Sequence, residues 1–264
     1  MKNILVPIGS NKNAINTLQY AIDFTEGTNI TIYVINVYGV TKVASSMKNI
    51  DTVLEEDSNR ELKAILNEVD TKGVEIISKP IKGDVIDSIV RVSKQLHIDL
   101  IISSAKSIST DEKVYLGKIA GGLIKNTGIP ILIVPKGYAF KAVSKVLMAI
   151  KSSCISSRDV LEPLKAIFNR FNSKIDLLKV ITPDSAVEEI ELNEELKTLK
   201  TNFKTTENAT IFQGVLEHIH ESNPDLLCVI RRKRGFFMRL WEKERVYKKD
   251  FESRIPLLIL KGAS

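Results

Sequence analysis

The sequence predicts an α/β protein of two domains, each built on a mainly parallel sheet of five strands flanked by helices. Three observations carry this prediction. Short apolar runs alternate along the chain with segments of helical period. A set of motifs occurs twice, in the same order and with matched spacing. The length, 264 residues, suits two domains at roughly 100–200 residues each.

The first element is a continuous apolar run at residues 4–8, as a strand buried on both faces requires. Residues 14–25 follow as a helix with Ala14, Leu18, Ala21 and Ile22 on one face. A second strand covers 30–37. Residues 51–69 form a long helix with Val53, Leu54, Leu62, Ile65, Leu66 and Val69 on its buried side. The third strand falls at 74–78. A helix at 85–96 turns Val85, Ile86, Ile89 and Val92 inward, with Asp84 as its N-cap. The fourth strand is 100–103; a helix at 118–126 is closed by Gly128 at the C′ position; the fifth strand is 131–134. Residues 135–144 are the expected linker. The second copy places helices at 158–171 and 191–204 and its third strand near 209–212. Strands that alternate with helices favour a parallel sheet covered on both faces. Each domain is therefore expected to be Rossmann-like (flavodoxin-like), the first over residues 1–136 and the second over 145–264.

The duplication is visible in the residues. Asp99-Leu100-Ile101-Ile102 has a counterpart in Asp225-Leu226-Leu227-Cys228, and Gly128-Ile129-Pro130-Ile131 has one in Arg254-Ile255-Pro256-Leu257. Asp99 to Pro130 is 31 residues, and so is Asp225 to Pro256. The first strands match at an offset of 142 residues and the closing pairs at 126, so the second copy is 16 residues shorter in between.

This order of motifs resembles the universal stress protein family. The residues that carry the resemblance are Ile4-Leu5-Val6-Pro7 before a polar turn and helix, Gly83-Asp84 opening a helix that leads to Asp99-Leu100, and the closing Gly128-Ile129-Pro130. It covers residues 1–136 and, more faintly, 145–261. The resemblance also implies that domains pair through their last strands, and 131–134 and 257–260 are suited to this, because an unpaired apolar edge strand is a liability. The resemblance implies an ATP site after the fourth strand with the pattern G-x2-G-x9-G-[ST], in which glycines let backbone amides approach phosphates. The aligned positions here are Ser104, Ser107, Gly117 and Lys118, so the spacing survives and one of the glycines does. Gly9 stands where the pattern has an Asp after the first strand. Pro7, Gly9, Ser10, Val37, Ser104, Lys106, Ser107, Gly117 and Lys118 are the candidate ligand-binding residues of the first domain, able to cradle an anion or to form a loop that has lost its nucleotide. Any ATP binding is expected to be weak and confined to this domain. The second copy keeps one glycine, Gly235, in its loop and has Ala149-Ile150-Lys151 at the end of its first strand, so no nucleotide is expected there.

The net charge of +6 is local: residues 231–254 hold ten Lys/Arg against four Asp/Glu, and the remainder is balanced. Phe236, Phe237, Trp241, Tyr247 and Phe251 interleave with these bases. Two readings stand side by side. Phe236, Phe237 and Leu240 pack a helix on the sheet while its arginines are solvated, or Arg231, Arg232, Lys233 and Arg234 recognise an acidic protein or a phosphate-bearing partner. Nucleic acid is not the expected partner, since no nucleic-acid motif accompanies the bases.

No catalytic constellation stands out. His218 and His220 are two residues apart, which on a helix does not bring both rings to one face, and no metal is expected. The acids between Glu188 and Glu195 suit a solvated helix start. Cys154 and Cys228, without CxxC spacing, read as reduced core or near-core thiols. The opening residues carry no signal-peptide core, and no apolar run approaches the ~18 residues of a membrane span. The expectation is a soluble cytoplasmic binding protein of the stress-response type, not an enzyme, that pairs its two domains internally or also forms a homodimer. An ATP-binding switch or slow ATP hydrolase is the alternative. A nucleotidyl transferase would need a phosphate loop after the first strand, and Pro7 to Lys12 is a poor one.

Overall fold

The computed structural model describes residues 1–9, 12–39, 50–106, 112–150, 158–183, 192, 194–231, 245–248 and 251–262. The apolar runs at the starts of both copies become strands with helices between them. The first half begins β1 (Asn3–Ile8), α1 (Lys12–Thr25), β2 (Thr31–Tyr38), α2 (Ile50–Asn67) and β3 (Ile76–Lys82). It continues α3 (Val85–Gln95), β4 (Leu100–Ser104), β5 (Val114–Leu116), α4 (Lys118–Asn126) and β6 (Ile131–Val134). The second half begins β7 (Lys145–Ile150), a 3-10 turn at Arg158–Leu161, α5 (Glu162–Phe171), β8 (Lys174–Ile181) and α6 (Glu194–Leu199). It ends β9 (Asn202–Glu207), α7 (Ile211–Ser222), β10 (Leu226–Arg231), β11 (Val246–Tyr247) and β12 (Leu257–Lys261).

The two five-stranded sheets merge into one sheet of ten strands, in the order β3-β2-β1-β4-β6-β12-β10-β7-β8-β9. Neighbours within each half are parallel. The join is the antiparallel pair β6·β12, with Leu257 opposite Ile133, Leu258 opposite Leu132 and Ile259 opposite Ile131. These are the two closing strands, paired as the family resemblance implies. Side chains alternate along each strand. Ile4, Val6 and Leu132 face α1, α2, α5 and α6; Leu5, Ile133 and Leu227 face α3, α4 and α7.

The Asp repeated before β4 and β10 has a structural reason. Asp99 Oδ2 accepts the amides of Lys2 (2.5 Å) and Asn3 (3.1 Å) at the start of β1. Asp225 Oδ2 accepts the amides of Ser144 and Lys145, both at 2.9 Å, and the Ser144 hydroxyl at 2.6 Å, at the start of β7. One carboxylate thus ties two neighbouring strand ends in each half. The expected linker is also fastened. Tyr138 and Phe140 pack with Tyr20 and Phe24 of α1 and Phe171 of α5, with Tyr20–Phe140 centroids at 5.3 Å and Phe140–Phe171 at 5.9 Å.

Several local expectations need correction. β3 runs on through Pro80 to Lys82 because it is an edge strand, where a missing N–H faces no partner. In the second half the helix expected to run to 204 ends at Leu199, the third strand is Asn202–Glu207, and the segment read as a strand near 209–212 opens α7. Thr210 caps that helix by accepting the Gln213 amide. β9 is the other edge, pairs only with β8, and so shows little hydrophobic pattern. Val53, assigned to the buried side of α2, is 52% exposed. Gly128 does follow the C-cap Thr127, but without left-handed backbone; a Cβ there would lie 2.5 Å from Lys261 Nζ. Asp84 caps α3 as expected, accepting the amides of Ile86 and Asp87, and Cys228 is a buried free thiol. Among the described residues no helix is long and apolar enough to cross a membrane.

Candidate functional site

In the first half the chain leaves β1 towards β2 and leaves β4 towards β6, on opposite sides. The carboxyl ends of β1 and β4 therefore part, and open α/β sheets bind ligands at such a switch point. A cavity of about 340 Å³ lies there. Pro7 and Gly9 end β1, Val37 lies at the end of β2, and Ser104 ends β4; all four line it. These four candidates from the sequence are brought together.

The far wall comes from α2, whose Asp57 and Glu61, one turn apart, both line the cavity. Glu61 Oε2 accepts from Asn36 Nδ2 at 2.8 Å, which fixes its carboxylate against the end of β2. Asp57 pairs with the exposed Arg60 at 2.8 Å. No Lys or Arg is among the described residues that line this crevice. The Thr17 hydroxyl is turned back to Asn13 O at 2.8 Å. At the mouth, desolvation and then the neighbouring Glu55 carboxylate push the Tyr38 phenol up. Gly9 is open: a Cβ there would meet nothing within 4 Å.

The loop that follows β4 is tied to its own chain. Ser104 Oγ donates to Lys106 O at 3.2 Å, and Asn13 Nδ2 donates to the same oxygen at 3.1 Å. Gly117 is the N-cap of α4 and Lys118 its first residue. The Gly117 amide donates to Ala105 O at 2.9 Å. Neither Gly117 nor Lys118 lines the crevice. Ser10 and Ser107 lie outside the described residues, as do Arg232, Lys233, Arg234 and Cys154. Arg231 donates to Lys125 O at 2.6 Å and Thr127 O at 3.4 Å, across the β6·β12 seam onto the end of α4. Burial lowers its pKa.

Lys106 belongs to a second cavity of about 270 Å³ that shares Thr17 and Ser104 with the first. Its remaining wall comes from both halves, because β5 pairs with β11: Val246 stands opposite Leu116 and Tyr247 opposite Val114. Lys136 of the first half and Lys248 and Arg254 of the second line it, with one acid, Glu252. Lys248 and Glu252 are 3.3 Å apart. Tyr115 also lines it; the ring packs on Phe251 at 5.3 Å, and burial pushes its phenol well up. Sequence reasoning did not find Asn36, Asp57, Glu61 or Tyr115 as site residues. The i,i+4 spacing of Asp57 and Glu61 was the available signal for the first wall; the second cavity had none, since it depends on which loops meet. Among the described residues no three of His, Cys, Asp and Glu come together as a metal would need.

The profile of the Universal stress protein family matches residues 1–135. A universal stress protein of Methanocaldococcus jannaschii is 25% identical over 140 residues, which covers 51% of this chain and 82% of that protein. Among solved structures, a universal stress protein from Archaeoglobus fulgidus DSM 4304 is similar over 99% of this chain and 97% of its own, with a TM-score of 0.71 at 17% identity. A protein of unknown function from Pseudomonas aeruginosa PAO1 is similar over 99% of this chain and 93% of its own, with a TM-score of 0.61 at 12% identity. Both likenesses span both halves and show the shared fold.

Proposed function

The chain belongs to the universal stress protein family, and from that premise we propose that it is a non-enzymatic regulatory binding protein whose crevice has lost ATP or holds it only weakly. The observation that supports this is the sign of the crevice: two carboxylates on α2 and no base among its described lining residues. A polyphosphate seated there would face Glu61. At an effective dielectric of roughly 20, a unit negative charge about 4 Å from a carboxylate loses about 4 kcal/mol. Screening at a partly exposed site cuts this several-fold, but no base among the described lining residues offsets what is left. The loop adds to the argument. The Gly117 amide is bonded to Ala105 and the Ser104 hydroxyl to Lys106, so two groups that could meet a phosphate are engaged within the chain.

Calorimetric titration with Mg-ATP tests this. No saturable heat is expected at millimolar nucleotide, and a saturable isotherm in the micromolar range would overturn the proposal. The alternative, an ATP-binding switch or slow hydrolase, has one observation in its favour: the basic cavity adjoins the crevice across Ser104. That reading requires Mg-ATP binding that weakens when Lys106 is changed to Gln.

A further inference from the structure

We propose that the second cavity is a binding site for a small phosphomonoester dianion, built jointly by the two halves of the chain. Its charge selects an anion: Lys106, Lys136, Lys248 and Arg254 face a single carboxylate, Glu252. Its size, about 270 Å³, sits just under the usual range of roughly 300–1,000 Å³ for small-molecule sites. That leaves room for a phosphate group and a short polar tail.

A buried phenol adds a donor to these bases. Tyr115 is buried and lines the cavity, with its hydroxyl beside Ser253. The Ser253 hydroxyl donates to Ile255 O at 2.8 Å and accepts the Ile255 amide at 3.3 Å. Burial pushes the phenol well up, so it stays protonated at neutral pH. A phosphate oxygen in the cavity would accept from it. The cavity exists because the second half crosses over. The Lys248 amide donates to Lys113 O at 2.8 Å, extending the β5·β11 ladder, and Phe251 packs on Tyr115. Together they hold Lys248 and Arg254 over the end of β4. The site shares Thr17 and Ser104 with the crevice but is opposite to it in sign, and the rest of its wall comes from other residues.

The test is calorimetry with inorganic phosphate, ribose 5-phosphate and acetate on the full chain without nucleotide. Saturable binding of ribose 5-phosphate, tighter than phosphate and absent for acetate, is expected. The double variant Lys248→Gln/Arg254→Gln should weaken it by about tenfold or more, since two charge-assisted contacts are removed. Tyr115→Phe should weaken it several-fold, because one donor to the phosphate is removed. Glu61→Gln, in the crevice, should leave it unchanged. No saturable heat with either phosphate probe, or equal affinity in the double variant, overturns the inference. So does binding that follows Glu61→Gln and ignores Lys248 and Arg254.

Discussion

At the scale of single residues, Asp225 shows how one side chain can define a fold motif. It accepts three hydrogen bonds from the start of β7 and an ion pair from Lys141 at 2.7 Å. Partial burial pushes its pKa up, but the bonds from Lys141, Ser144 and the Lys145 amide outweigh this and leave it below the ordinary aspartate value. A carboxylate depressed on folding stabilises the protein above its unfolded pKa and loses that contribution as pH falls through its folded pKa. Asp225→Asn should therefore cost about 1–3 kcal/mol near neutral pH. The gap in denaturation midpoint between the variant and the parent should narrow as pH drops below the normal aspartate range. A gap that stays constant down to acid would mean the charge is not what matters. The repetition of this Asp was legible in the sequence, at Asp99 and Asp225, because strand starts are short and local. Its partners were not, since Ser144 is 81 residues away along the chain. Pro7, Gly9, Val37 and Ser104 were legible as neighbours for a related reason: each ends a strand whose place in a parallel sheet follows from order. Asp57 and Glu61 were not, because the rotation of α2 about its axis is set by packing.

At the scale of elements, the strands buried on both faces were placed well and the edges poorly. β6 and α4 fell at their predicted bounds, since continuous apolar runs and a helical face admit few alternatives. β9 carries Phe203 as its one large apolar residue, and its identity as a strand comes from β8 beside it. The short ladder β5·β11 has no signature in either segment, because each strand takes its register from a partner in the other half. Helix α7 makes a tested claim possible. Gly214 lies inside it, where glycine costs about 1 kcal/mol relative to alanine. Propensity alone would make Gly214→Ala stabilising. A Cβ at that position, however, would come within 2.7 Å and 2.9 Å of the two Val180 methyl carbons on β8. Val180 is buried and has little room to turn, so overpacking of about 1–3 kcal/mol should win. Gly214→Ala is expected to lower the melting temperature, and adding Val180→Ala to it should recover part of the loss. A single variant more stable than its parent would show that α7 can lift away from the sheet.

At the scale of the molecule, each half completes the other. Ile131 to Val134 of β6 and Leu257 to Leu260 of β12 are all buried, and they meet as the one antiparallel pair in the ten-stranded sheet. Full burial of such a side chain is worth about 1.5–3 kcal/mol. Part of that burial is owed to the strand across the seam. Residues 1–136, which we propose as one unit of the chain, would carry β6 as a bare apolar edge if made alone. An edge of that kind templates another strand, and the partner with the right antiparallel register is a second copy of β6. The isolated first half is therefore expected to run as a dimer in light-scattering chromatography, with Ile133→Lys converting it to a monomer or an aggregate. The dimer would also lack Lys248 and Arg254, so it should not bind ribose 5-phosphate even though it keeps Lys106, Tyr115 and Lys136. A stable, soluble monomer of residues 1–136 would mean that the seam joins two units already complete in themselves. The duplication would then be an economy of linkage and not a structural need.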